Sequence, residues 1–186
     1  MKIVINALAY KQNSSGIGVL IRELLGRYAG ATPHVCQVVL ASDSPAFPDG
    51  KNVRQERQPW KYGDKLRRIL FQSAVLGLRY CKNAVLLVTD SKIPLLLPKS
   101  CQVIPLITDL AVYRMPEVYQ TSRVFLWRLQ YLLLRRKAVQ YLAISDFTKR
   151  EMVELLQIPP EKIHVIPCAC GKQISPIEDG PQLAEV

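Results

Sequence analysis

The sequence predicts an α/β domain in which a mostly parallel sheet of about six or seven strands is covered by helices on both faces. Short apolar runs of strand length alternate with helical stretches at intervals of about 20–30 residues, which favours a parallel sheet. Ala84–Thr89 and Gln102–Ile107 are apolar without polar alternation, as strands covered on both faces are. The 186 residues, 49% of them apolar, suffice for one core.

The first half of the chain sets up this alternation. Lys2–Ala7 is a short β-branched strand, and a polar loop containing glycines follows it. Apolar residues at helical spacing then predict a helix that begins at Ile17 and is stopped by Gly30. Val35–Leu40 is a second buried strand, and residues 52–57 are a short polar strand.

The second half of the chain continues the alternation of strands and helices. Helical spacing predicts helices over 63–82 and 121–136, and Ser145 is the expected N-cap of a short helix that ends at Leu156. The last two predicted strands of the sheet are Val139–Ile144 and Ile163–Ile166. We expect the domain to span 1–168 and residues 169–186, which lack periodicity, to begin a linker or a frayed tail.

A formal charge of +10 indicates an anionic partner, which could be nucleic acid, a membrane surface or a phosphorylated substrate. Apolar and aromatic residues between lysines and arginines suit a helix on an anionic bilayer, and they also suit solvated structural charge. No recognition motif favours nucleic acid. The residues expected to contact a membrane or an anionic acceptor are Lys65, Arg67, Arg68, Arg135, Arg136 and Lys137.

The chain carries no apolar run of the roughly 18 residues that a membrane-spanning helix needs. Its start, MKIVINALAYKQN, has the pattern of a strand rather than of a secretory signal. Five cysteines without ladder spacing indicate reduced thiols. We therefore expect a cytoplasmic protein with peripheral contact to the inner face of the cytoplasmic membrane.

In open parallel sheets, ligands bind beyond the carboxyl ends of the strands, so the loops there hold the candidate site residues. Gly16, Ile17 and Gly18 stand at a predicted helix N-terminus, where free backbone amides favour an anion. Thr108 and Asp109 directly follow a buried strand. A carboxylate in that place can hold a sugar hydroxyl, orient a base or cap the following turn.

The glycine segment is only half of a dinucleotide fingerprint, because Ile21 occupies the third glycine position. A nicotinamide or flavin enzyme is therefore not favoured. His34 and His164 are far apart, and Cys168 and Cys170 lack a second pair, so no metal is expected. No Gly-x-Ser-x-Gly element supports covalent catalysis.

Four stretches of the chain, taken together and in order, match motifs of one known family. They are SGIGVLIRELL at 15–25, similar to G-G-I-G-x-Y-x-x-E-L; ITDLAVYRMPE at 107–117, similar to H-D-L-x-x-x-x-x-P-E; AISDFTKRE at 143–151, similar to A-V-S-x-F-S-x-x-E; and IPPEKIHVIP at 158–167, similar to I-P-x-x-K-I-x-V-I-P-N-G. Through these motifs the chain resembles the N-terminal half of a retaining GT-B-fold glycosyltransferase, of the family that includes bacterial mannosyl- and rhamnosyltransferases.

The resemblance implies a Rossmann-like acceptor-binding domain that acts in the assembly of cell-surface polysaccharide or lipid-linked glycans. It implies a nucleotide sugar as donor, a glycan or lipid-linked acceptor, no metal, and a glycine segment that approaches the donor phosphate. Asp109 is the matched catalytic residue, Thr108 stands where the family has His, and Ser145 is a positioning cap.

In this family a second domain supplies most of the nucleotide-sugar site. We therefore expect that this chain, without that C-terminal donor-binding domain, is inactive alone. An alternative expectation is a non-catalytic scaffold that recruits a separate catalytic subunit to the membrane.

Overall fold

Seven strands form one parallel sheet in the computed structural model, which describes residues 1–11, 16–89 and 92–167. The strand order is β3-β2-β1-β4-β5-β6-β7, and every neighbouring pair is parallel. The strands are β1 Lys2–Asn6, β2 Val35–Leu40, β3 Val53–Arg57, β4 Ala84–Val88, β5 Gln102–Ile107, β6 Tyr141–Ala143 and β7 Ile163–Val165. The predicted fold class is confirmed; the expected linker over 169–186 lies outside the described residues.

Five helical segments connect these strands. Two of them contain a π-helical turn in the middle: α1 spans 16–31 with the π turn at Ile21–Leu25, and α2 spans 65–80 with the π turn at Phe71–Val75. The others are α3 Ala111–Arg114, α4 Thr121–Lys137 and α5 Asp146–Leu156. Short 3-10 turns at Pro116–Val118 and Pro160–Lys162 precede α4 and β7.

The direction of the crossovers decides which helix covers which face of the sheet. The chain moves one way from β1 to β2, and the opposite way from β3 to β4, β5, β6 and β7. Because such crossovers are right-handed, α1 lies on one face, and α2, α4 and α5 lie on the other. Two core clusters match this division. One joins Ile21 and Leu25 of α1 to Ile3 and Ile5, and the other joins helices α2, α4 and α5 to Val4 and Leu86.

The fully buried strand β4 explains why the sequence pattern predicts this sheet. Its five residues, AVLLV, are all buried, because side chains of alternate residues point into the two core clusters. Leu86 and Val88 belong to the cluster under α2 and α4, whereas Leu87 belongs to the cluster under α1. Edge strand β3, VRQER, has no fully buried residue, as its polar composition predicts.

Several predicted features differ from the structure. Gly30 does not stop α1, which runs on to Ala31 before Thr32 becomes extended. The strand predicted at Val139–Ile144 shortens to Tyr141–Ala143, and ahead of it Ala138 forms an isolated bridge to Val103. The π turns insert an extra residue per turn, which a constant helical period does not anticipate.

Three cysteines lie in the described chain and are free thiols, as expected, and Cys168 and Cys170 lie outside it. Cys36 and Cys81 are buried, and Cys101 is partly buried. Cys81 and Cys101 precede the paired strands β4 and β5, and the hydrogen bond between their thiols raises the pKa of Cys81 and lowers that of Cys101.

Gly77 allows the segment between β4 and β5 to pack against α2. A Cβ atom at Gly77 would collide with the backbone carbonyl of Leu96. The same segment is hydrogen-bonded to α2, since the amides of Leu95 and Leu96 both donate to the carbonyl of Ser73. It also reaches α4, where the Ile93 amide donates to Gln130 Oε1 at 2.9 Å. Segment 92–98 therefore joins the two helices.

We expect Gly77→Ala to lower the free energy of unfolding by about 1–3 kcal/mol, because the backbone of 92–98 must move away. Gly30→Ala is the matched control. It is also helical, no atom lies within 4 Å of its added Cβ, and it should stabilise the domain by about 0.5–1 kcal/mol. Urea denaturation of both variants measures the difference. Equal changes in the two variants would contradict the close packing described here.

Candidate functional site

The carboxyl ends of four adjacent strands, β1, β4, β5 and β6, follow one another along the sheet, and the crossover direction reverses between β1 and β4. Strand β1 leads away to β2, whereas β4, its other neighbour, leads towards β5 and β6. A crevice outside the strand ends at such a switch point is where ligands bind in open α/β sheets. The residues at or just after these ends are Asn6, Thr89, Thr108, Asp109 and Ser145.

Asn6 is the least expected member of this group. It ends the apolar strand β1 and is 1% exposed, and its Oδ1 accepts a hydrogen bond from the Leu8 amide at 3.4 Å. Its Nδ2 has no hydrogen-bond partner among the residues that the structure describes. Thr89, at the end of neighbouring β4, donates its hydroxyl to the Asn6 carbonyl at 2.8 Å. A buried amide without a partner lowers the free energy of unfolding by about 1–3 kcal/mol. This one lies at the switch point, the place where ligands bind in such sheets.

Asp109 is exposed and organises the turn after β5. Its Oδ1 accepts a hydrogen bond from the Ala111 amide at 3.1 Å, and its Oδ2 accepts one from the Thr108 hydroxyl at 3.2 Å. The turn is held from the helix layer as well, because the Tyr131 hydroxyl donates to the Asp109 carbonyl at 3.1 Å. The carboxylate therefore caps the start of α3, and its remaining lone pairs stay open to solvent.

Thr108 and Ser145, which follow neighbouring strands, are connected through Thr148. Ser145 Oγ accepts from the Thr148 amide at 3.1 Å, which confirms Ser145 as the N-cap of α5. Thr148 Oγ1 donates to the Thr108 carbonyl at 3.1 Å. Because that hydroxyl has one proton, the 3.0 Å contact between the two side chains is a hydrogen bond donated by Ser145. Buried Thr148 thus fixes two loops in one arrangement.

An ion pair secures the same two loops further from the sheet. Arg114, at the end of α3, donates to Glu151 at 2.9 Å and to Glu154 at 2.6 Å, both on α5. Glu151 is almost completely buried, and its hydrogen bond, with that of Glu154, raises the pKa of Arg114. Glu151 is the last residue of the motif matched at 143–151, so this structure gives that motif a positioning role.

The glycine segment opens helix α1. Gly16 is the first helical residue, is exposed, and has open space where a Cβ atom would stand. Gly18 is buried. The side chain of Ile17, residues 12–15 before it, and Asp90 after β4 lie outside the described residues. The open approach at Gly16 is compatible with a ligand close to the backbone.

The six basic residues expected to touch an anionic partner lie on helices α2 and α4 and not at the strand ends themselves. Arg68 is engaged with its own domain, since it donates to the Tyr62 carbonyl at 3.0 Å and its guanidinium lies 4.2 Å from the centre of the Tyr62 ring. Among the residues that the structure describes, the other five make no ion pair with a carboxylate. They are Lys65, Arg67, Arg135, Arg136 and Lys137.

Within 1–11, 16–89 and 92–167, no cluster of three histidine, cysteine or acidic residues could hold a metal ion. No helix there is long and apolar enough to cross a membrane. A shallow pocket lies along α5, between Lys149, Val153 and Pro160, at the β7 edge of the sheet and thus away from the switch point.

The parallel sheet, the switch point and the polar residues around it define a Rossmann-like ligand-binding domain. Such a seven-stranded parallel sheet with helices is consistent with the N-terminal domain of a GT-B glycosyltransferase. The chain belongs to Glycosyltransferase Family 4, whose family model matches residues 14–170. Comparison with curated proteins gives no significant match.

Sequence reasoning predicted Thr108, Asp109 and Ser145 as site residues, and it did not single out Asn6, Thr148 and Glu151, which the structure places at or near the same strand ends. Thr148 and Glu151 act through contacts with loops about forty residues away in the chain, at separations of 40 and 37 residues, which no local pattern reveals. Asn6 had a detectable signal, because a polar residue ends an otherwise apolar strand at the edge where ligands bind.

We expect Ser145→Ala to lower the free energy of unfolding by about 1 kcal/mol, because the Thr148 amide loses its acceptor. Ser122→Ala is a matched control, since Ser122 is exposed in the first turn of α4. It should leave stability within about 0.5 kcal/mol of the parent chain. Urea denaturation compares them, and an equal loss in both variants would show that the cap contributes nothing.

Proposed function

We propose that this domain binds the acceptor in a nucleotide-sugar-dependent glycosyltransferase, and that Asp109 orients the acceptor hydroxyl. The observation that carries the proposal is the exposed carboxylate of Asp109 beside the switch point of a Glycosyltransferase Family 4 domain. A carboxylate that already caps its own turn is held in one orientation, so it can accept a hydrogen bond from a sugar hydroxyl without first losing conformational entropy.

The network around Asp109 supports this role. Tyr131 fixes its backbone, Thr108 fixes one carboxylate oxygen, and Thr148 fixes Thr108. A group that contacts a reacting atom needs such support, since a small displacement of that group lowers the reaction rate. Thr108 stands at the family's His position and contributes here by holding Asp109.

We propose that the glycine segment, Gly16 to Gly18, faces the donor phosphate. The N-terminus of α1 supplies backbone amides and a favourable helix dipole, and Gly16 leaves room for close approach. Stabilisation of the departing nucleoside diphosphate is the main electrostatic task of such a transfer. We propose that a second, donor-binding domain completes that task, that no metal takes part, and that this chain alone does not turn over.

We further propose that the reaction retains configuration at the transferred sugar and serves cell-surface polysaccharide or lipid-linked glycan assembly. The four motifs resembling bacterial mannosyl- and rhamnosyltransferases support this, with a glycan or lipid-linked acceptor as substrate. A scaffold that recruits a separate catalytic subunit is the second candidate. The outward apolar residues of helices α2 and α4 favour it, because a recruiting domain needs such a surface.

We expect Asp109→Asn to lower kcat/KM for sugar transfer by about tenfold to a hundredfold, because the hydrogen bond from the acceptor loses its charged partner. The measurement needs the domain together with a donor-binding domain. Glu161→Gln is the matched control, since Glu161 is exposed on the 3-10 turn before β7, at the opposite edge of the sheet. It should leave kcat/KM unchanged.

Circular dichroism and urea denaturation show whether Asp109→Asn stays folded. A folded Asp109→Asn protein with full kcat/KM would reduce Asp109 to a turn residue. If the chain increases membrane recruitment of a partner enzyme while the Asp109 substitution has no effect, the scaffold function replaces the acceptor-binding one.

A further inference from the structure

The outer surface of helices α2 and α4 has a composition unlike the rest of the domain. Helix α2 contains four basic residues and helix α4 contains five, and neither contains an Asp or Glu. The short helix α5, by contrast, has three acidic residues and two basic ones. Much of the charge of +10 is therefore concentrated on these two helices.

Large apolar side chains point outward from the same two helices. Leu66 is 70% exposed and Phe125 is 68% exposed, where a helix of a soluble domain normally presents polar residues. Leu66, Ile69 and Leu70 recur at i, i+3 and i+4 on α2, and Phe125, Leu129 and Leu132 recur at i, i+4 and i+7 on α4. All six are exposed, and we call them the apolar ridge.

The two halves of the ridge belong to one surface. Helices α2 and α4 cover the same face of the sheet, and segment 92–98 is hydrogen-bonded to both of them. Leu95 and Leu96, in the middle of this segment, are exposed as well. The apolar residues of α2, the segment and α4 thus continue across three neighbouring elements, which is larger than the scattered exposed leucines of an ordinary surface.

Basic side chains surround the apolar ridge. Lys65 and Arg67 are exposed beside Leu66, and Arg128 and Arg136 are exposed on α4 beside Leu129 and Leu132. An apolar strip with a cationic border, on two helices that contain no Asp or Glu, is complementary to a bilayer that carries anionic lipids, because the strip enters the boundary of the acyl chains while the cations stay at the phosphates.

We propose that helices α2 and α4, with segment 92–98 between them, dock this domain on an anionic bilayer. The apolar ridge enters the headgroup boundary, and Lys65, Arg67, Arg128 and Arg136 lie at the lipid phosphates. Both helices begin at the carboxyl edge of the sheet, so Leu66 and Phe125, in their first two turns, lie on the side nearest Asp109. The docked bilayer therefore adjoins the candidate site. Docking requires no sugar transfer, and it can be tested separately from the proposed function.

The test is cosedimentation of the 186-residue chain with sucrose-loaded vesicles of phosphatidylcholine, with and without phosphatidylglycerol. We expect binding to the anionic vesicles that weakens as salt rises. Arg67→Gln, Arg128→Gln and Arg136→Gln together should lower partitioning by about fivefold per residue. The matched control replaces Lys51, Arg54 and Lys82 by Gln. These three are exposed and lie outside α2 and α4, and their loss should have a much smaller effect.

The apolar ridge has its own variant and control. Leu66→Ser, Leu70→Ser and Phe125→Ser together should lower partitioning by about tenfold or more, since each methylene group that enters the bilayer contributes to the binding free energy. Val19→Ser with Tyr28→Ser alters exposed apolar residues on α1, on the other face of the sheet, and should leave binding unchanged. Because the substituted side chains are exposed, urea midpoints should agree with that of the parent chain.

Four results would overturn the proposal. The first is a parent chain that does not bind anionic vesicles at low salt. The second is a control variant that loses as much binding as the α2 and α4 variant to which it is matched. The third is full binding by the Leu66, Leu70 and Phe125 serine variant, because charge attraction alone would then hold the domain on the vesicle, without insertion of the apolar ridge. The fourth is a parent chain that forms dimers, which the serine variant abolishes, without binding vesicles; the surface would then join two copies of the chain.

Discussion

Parallel pairing of all seven strands is the constraint on which the rest of this structure depends. Parallel strands place all their carboxyl ends at one edge and require helical crossovers that cover the faces. The candidate site and the two core clusters are therefore consequences of one arrangement. The reversal of crossover direction between β1 and β4 then distinguishes, among the loops of that edge, those after these two strands, and the loop after β5 lies next to them.

Support for these loops comes from side chains whose role is to hold other residues. Thr148 joins the loops after β5 and β6, and Arg114 joins the first of them to helix α5. Asp109 differs from both, since the hydrogen bonds of its side chain to described residues stay within its own turn and the side chain is open to solvent. Its carboxylate is thus a polar group that the surrounding network holds in place but leaves exposed.

The sequence predicted the fold well because its signals were local and strong. Apolar runs such as AVLLV at β4 reflect burial on both faces, and Ser145 marks a helix start through a bond to a residue three positions away. The outward position of Leu66 and Phe125 could not be predicted in this way. Helical spacing shows that residues share a face, but it does not show whether that face meets the sheet, and the π turn within α2 further shifts the pattern.

The two ion pairs made by Arg114 also limit how the domain can move. One guanidinium holds a buried carboxylate, Glu151, and an exposed one, Glu154, and a lysine could not span the two in the same planar geometry. The turn that carries Asp109 consequently cannot swing as a separate lid. Any displacement of that turn takes α5 with it or first opens both ion pairs, so closure around a ligand would move the turn and α5 together.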